Sequence, residues 1–207
     1  MSAASASAPI VPEPEDPRLV AANLVVGARL FASAMAFVFM AFVFAYFYLK
    51  AVDSNGLWRP AHVSPPQGYG IAILVCVLGA SAAFELARRG LAAGTGSVPV
   101  LAVALGLSVA AVVLQLIAYL GGMSFGADGG GYASVFYGWT AMFLAFWLGA
   151  VYSVETMLAT IMRSARESQE AGVAPEAFRP SADATMVYLY SCAGIAVVTW
   201  VLLYLIK

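Results

Sequence analysis

Five long apolar runs, separated by charged, proline-rich or glycine-rich segments, set the pattern of this chain. The first covers residues 30–49, between Arg29 and Lys50, and carries no charge. About 20 residues of helix cross a hydrocarbon core, so the run predicts a membrane helix. Further spans are predicted at about residues 69–87, 98–120, 133–158 and 184–206. Pro99 falls where a helix tolerates proline, in the first turn, and Pro180 precedes the fifth span. No span has a proline deeper inside, so the broken helices of many transport sites are not signalled.

The fourth run dominates the pattern. Phe136, Tyr137, Trp139, Phe143, Phe146, Trp147 and Tyr152 make it the segment richest in aromatics. Ala141, Ala145, Gly149 and Ser153 recur every fourth residue and predict a small-residue face that meets a neighbouring helix closely. The other helices are expected to pack around this one. The same spacing recurs in Gly79, Ala83 and Ala87 and in Ala102, Gly106 and Ala110. Past the span the helix is expected to continue through RSARESQEAG as a solvated face. Arg163–Glu167 and Arg166–Glu170 would be its i,i+4 pairs and Gly172 its stop signal.

Between the runs the signals differ. Residues 1–23 are expected to form a disordered or extended tail, because their small residues, prolines and acids show no periodicity. They lack the basic start and apolar run of a secretory signal. The connection after the first span holds Trp58, Pro60, Pro65 and Pro66 and is expected to be an ordered loop outside the core. GGMSFGADGGG predicts a flexible turn, and Ser181 is a possible cap for the fifth helix.

Composition sharpens this into a class. The chain is 62% hydrophobic and 10% charged, against about 25% charged in soluble domains. The expected fold is an all-α polytopic membrane protein, a bundle of five transmembrane helices spanning residues 24–207. A net charge of −1 leaves no basic excess for nucleic acid. Arg18, Arg29, Arg88, Arg89, Arg163, Arg166 and Arg179 fall on one side, and Lys50, Arg59 and Lys207 on the other. Positive-inside bias then puts the N-terminus in the cytoplasm and the C-terminus outside.

Candidate chemistry is sparse. His62 is the single histidine, and Cys76 and Cys192 stand apart in apolar runs, so no haem or metal ligand set is expected. Glu85 is placed to pair with Arg88 and Arg89 at i+3 and i+4. Gln115 is expected to bond to a neighbouring helix, and Glu155 to sit at the interface. GADGGG fits no phosphate loop. No residue is therefore expected to be catalytic or to bind a cofactor. The residues alone predict a structural or lipid-binding subunit of a larger assembly. A transporter or channel for a small neutral or lipid-like substrate is the alternative, and a membrane enzyme a more distant one.

The chain resembles subunit III of the haem–copper respiratory oxidases, in its short five-helix bacterial form. The resemblance covers about residues 25–207. It rests on AYFYLK followed by Trp58-Arg59-Pro60, on Gln115 and Tyr119 before a glycine-rich loop, on SVFYGWT with Ser134, Phe136 and Thr140, and on Trp200 with Tyr204. The family's intramembrane polar residues are replaced: Ser33-Ala34-Met35 stand where a glutamate is usual, and Ala118 replaces another. Phe143 and Phe146 stand at a histidine pair, and Cys192, Ala193, Gly194 and Val197 in a polar run.

What the resemblance implies is a subunit that binds no haem or copper itself. It packs against catalytic subunit I, which carries those cofactors, holds phospholipid, and supports proton uptake in the bacterial inner membrane. Arg29, Arg88, Arg89 and Arg163 would then be candidates for lipid headgroups. A subunit III-like protein associated with nitric oxide reductases is a near relative of the same reading.

Overall fold

The computed structural model describes residues 16–53, 56–93, 97–171 and 178–206, and side chains among them other than those of 17 and 165–171. It is an all-α bundle of five long helices: α1 (Pro17–Ala51), α2 (Gln67–Ala92), α3 (Val98–Ile117), α4 (Gly131–Ala171) and α5 (Arg179–Trp200). Each is long and apolar enough to cross a membrane, and the chain is a multi-pass membrane protein. Among the described residues α3 and α5 each end in a widened π-turn, at Ala118–Gly122 and Val201–Leu205.

Helix boundaries run past the apolar stretches. α1 begins at Pro17, so residues 17–23, expected in the tail, are helical. The Asp16 carboxylate caps this start by accepting from the Arg18 N–H at 2.9 Å, and Pro17 fits the first turn. Residues 1–15 lie outside the described part. α4 does continue past the span to Ala171. The side chains of its expected pairs, Arg163–Glu167 and Arg166–Glu170, lie at least partly outside the described part, as does Gly172. α5 starts at Arg179, which puts Ser181 inside the first turn, and no side chain caps that helix.

The helices close on one another in a five-membered ring. α1 packs on α5, α5 on α2, α2 on α3, α3 on α4, and α4 on α1, with α4 and α5 also touching across the middle. α4 and α5 therefore share the central place expected of α4 alone. Alternate helix directions gather the two kinds of ends. One end carries Arg29, Arg88, Arg89, Arg163 and Arg179 and is called here the basic end. The other, the aromatic end, gathers the close of α1, α3 and α5 with the start of α2 and α4.

The described part of the 52–66 connection is an ordered loop packed on the bundle. Trp58, Val63 and Pro65 are buried, and Trp58 stands edge-on to Tyr46 and Tyr132. The loop is fastened to α4 by the Tyr132 N–H, which donates to the Trp58 carbonyl at 2.8 Å. That crossing requires Gly130, whose φ is +95° and where a Cβ would stand 2.4 Å from the Leu57 carbonyl.

Candidate functional site

α4 turns its aromatic face inward. Phe136, Trp139, Phe143 and Trp147 are buried, followed by Ala150, Val154 and Met157. Apolar surface gains little by leaving lipid for protein, so ring packing and hydrogen bonds must hold such a bundle. The indole of Trp147 donates to the Ser108 carbonyl of α3 at 3.0 Å. The indole of Trp139 donates to Thr199 Oγ1 of α5 at 2.7 Å. From α5 the Tyr188 hydroxyl returns a bond to the Phe146 carbonyl. Trp and Tyr inside an apolar run are a signal that such partners exist, because a buried N–H or O–H must be paired.

This orientation corrects the expected packing face. Ala141 and Ala145 are exposed, and Gly149 and Ser153 are half-buried beside Tyr188. The Trp139 and Trp147 indoles find partners that no alanine can offer, so the ring face takes the interior, while of the small stripe only Gly149 and Ser153 meet a neighbouring helix. On α3, Ala102 and Gly106 are likewise exposed, while Leu101, Ala104, Ser108, Ala111 and Gln115 are buried. Only on α2 does the small face pack as expected. Ala83 and Ala87 are buried, and a Cβ at Gly79 would stand 3.2 Å from Leu107 Cδ1.

At the aromatic end, side chains from three helices close the C-terminal turn of α5. The Tyr132 hydroxyl donates to the Leu203 carbonyl. Gln67 Nε2 donates to the Tyr204 carbonyl at 2.6 Å, and the Tyr46 hydroxyl to the Ile206 carbonyl at 2.8 Å. The last carbonyls of a helix lack intrahelical donors, so this clasp satisfies groups that would otherwise be stranded. Arg59 lies 4.6 Å over the Tyr132 ring and donates to the Val63 carbonyl at 2.9 Å, tying the loop into the same cluster. On the α3–α4 side the Tyr119 hydroxyl donates to Thr140 Oγ1 at 2.7 Å.

At the basic end, Glu85 pairs as expected with Arg88 at 2.8 Å and Arg89 at 2.7 Å. Sequence spacing did not show the third partner, Asp183 of α5, which takes Arg88 Nη1 at 2.7 Å. Arg88 is thus held by two carboxylates. Arg89 shares Glu85 but keeps 71% of its side chain exposed. Arg29 and Arg163 are exposed, as are Glu155 and His62.

A groove of about 620 Å³ opens between α1, α4 and α5 toward the basic end. Leu24, Gly27 and Phe31 line one wall, and Gly149, Tyr152 and Tyr188 the others. Of the two thiols, Cys192 is buried and Cys76 half-buried. Among the described residues no group of three or more His, Cys, Asp or Glu side chains could hold a metal ion. Gln115 is buried, but its Nε2 bonds to no neighbouring helix. No protein-family model matches the chain, and no curated protein matches it.

Proposed function

We propose that this chain is a non-catalytic membrane subunit of a haem–copper terminal oxidase complex, packing against the catalytic subunit and binding lipid. One observation carries the reading. Several residues of the resemblance, far apart in sequence, meet through Tyr132 in a single cluster. Trp58 contacts Tyr46 and Tyr132, Tyr132 contacts Phe136, and Phe136 contacts Tyr204 and Tyr137. Tyr119 joins through Tyr137 and through Thr140. Alternate helix direction brings these segments to one end, and the ring contacts and hydrogen bonds between them support the reading.

Two outward features support the same reading. Ala102 and Gly106 of α3 and Ala141 and Ala145 of α4 offer exposed small residues, which let a partner's helix approach closely. The groove between α1, α4 and α5 has the volume and the mainly apolar walls for an acyl chain, and Arg29 stands on the same stretch of α1 for a phosphate headgroup. Arg89 and Arg163 are further headgroup positions at that end. In this reading the basic end faces the cytoplasm of a bacterial inner membrane and the C-terminus lies outside. Haem and copper belong to the partner subunits, which pass electrons to oxygen and pump protons.

Purification of the tagged chain from native membranes in mild detergent tests the proposal. Copurification with a large subunit and haem absorbance is the expected result. Recovery of the chain with neither would overturn it. Haem without copper would transfer it to the nitric oxide reductase-associated relative.

A further inference from the structure

A small cavity of about 30 Å³ lies among α2, α3, α4 and α5, just inside the aromatic end. Gly70, Gln115, Thr140, Thr199, Trp200 and Tyr204 are among its walls. Two buried donors on those walls, Gln115 Nε2 and Trp200 Nε1, have no hydrogen-bond partner. The Gln115 amide comes near the Tyr119 hydroxyl one turn on without closing a bond to it. Leaving a buried donor unpaired costs about 1–3 kcal/mol. In a membrane bundle neither neighbouring lipid nor bulk water relieves that cost.

The two threonines supply the complement. Thr140 Oγ1 donates to the Phe136 carbonyl and accepts from Tyr119. Thr199 Oγ1 donates to the Ile195 carbonyl and accepts from Trp139. A hydroxyl oxygen accepts two bonds, so each threonine keeps one lone pair unused. The walls therefore offer two free donors and two free acceptors, which is the hydrogen-bonding complement of water. A cavity needs only about 10–15 Å³ for one water, so there is room for one or two. Two of the four surrounding helices also widen into π-turns here, beginning at Ala118 and Val201, close after Gln115 and Trp200. Such turns recur where a helix serves a bound group.

We infer that this cavity is a site for ordered water inside the bundle, held by Gln115 and Trp200 as donors and by Thr140 and Thr199 as acceptors. The water joins α3, α4 and α5 at a depth where no direct bond links Gln115 or the Trp200 indole to another helix.

Proton-detected solid-state NMR of the full chain in lipid bilayers tests this. The Trp200 indole signal is assigned by its loss in Trp200→Phe, and magnetisation transfer from water to the four indole N–H groups is measured. Transfer to Trp200 is expected, with little to Trp139 and Trp147, whose indoles are bonded to protein. In Gln115→Leu, which removes one donor and turns that wall of the cavity apolar, the Trp200 transfer should fall sharply while the other indole signals stay in place. No transfer to Trp200 in the unaltered chain overturns the inference. So does transfer that persists at full strength in Gln115→Leu, because that water would be bulk. A direct Gln115 amide bond to Tyr119 in the same spectra would also overturn it.

Discussion

Single hydrogen bonds decide how the end of α5 is held. Tyr132, Gln67 and Tyr46 reach the Leu203, Tyr204 and Ile206 carbonyls from three other helices. Tyr132 is fully buried, so removal of its hydroxyl leaves the Leu203 carbonyl with no water to replace it. Tyr132→Phe keeps the ring under Arg59 and against Trp58, and is expected to cost about 1–2 kcal/mol through the unpaired carbonyl alone. Ile206 is half-exposed, so Tyr46→Phe should cost less. Thermal unfolding of the three proteins in one detergent checks the order. Melting temperatures of both variants equal to that of the unaltered chain would show that the clasp does not hold α5.

At the scale of an element, α4 shows what a repeating small-residue stripe does and does not specify. Its four members experience different surroundings. A Cβ at Gly149 would stand 2.7 Å from the Tyr188 hydroxyl, whereas Ala145 faces outward. Gly149→Leu should therefore displace Tyr188 and its bond to Phe146, costing about 1–3 kcal/mol as overpacking does. Ala145→Leu should leave the melting temperature of the isolated chain unchanged and, on the proposed function, weaken its retention by a partner subunit. Equal destabilisation of the isolated chain by both substitutions would mean that the stripe is an internal face after all.

The contrast also marks how far the sequence could be read. Run length and charge gave the five spans, because crossing a hydrocarbon core demands both. The pairing of Glu85 with Arg88 and Arg89 was legible because i+3 and i+4 neighbours share a helix face. Asp183 was not, since it arrives from another helix and no local spacing encodes it. The inward face of α4 was misread for a related reason. Periodicity marks faces but does not say which one finds partners, and the Trp139 and Trp147 indoles settle that through Thr199 and Ser108. The burial of Trp58 and Val63 depended likewise on a crossing of two loops, at Gly130, that lies far away in sequence.

Across the whole molecule, α2 and α5 are pinned at both ends, by Gln67 on the Tyr204 carbonyl and by Arg88 on Asp183. The two ends differ physically. The aromatic end is a buried set of neutral bonds and rings. The basic end is a charged triad whose exposure runs from 11% of the Glu85 side chain to 40% of Asp183. Asp183→Asn removes one partner of a half-exposed pair and leaves Arg88 on Glu85, so it should cost about 1 kcal/mol or less. Glu85→Gln leaves Arg89 without its carboxylate and Arg88 with Asp183 alone, and should cost more, on the order of 1–3 kcal/mol. The two substitutions touch one network, so their combined effect should fall short of or exceed the sum by about 0.5 kcal/mol or more. Unfolding of the two single variants and the double variant measures this coupling. Strict additivity, or no measurable cost for Asp183→Asn, would mean that Arg88 does not bridge α2 and α5. Gln67 would then be left as the direct polar pin between them that is described in the structure.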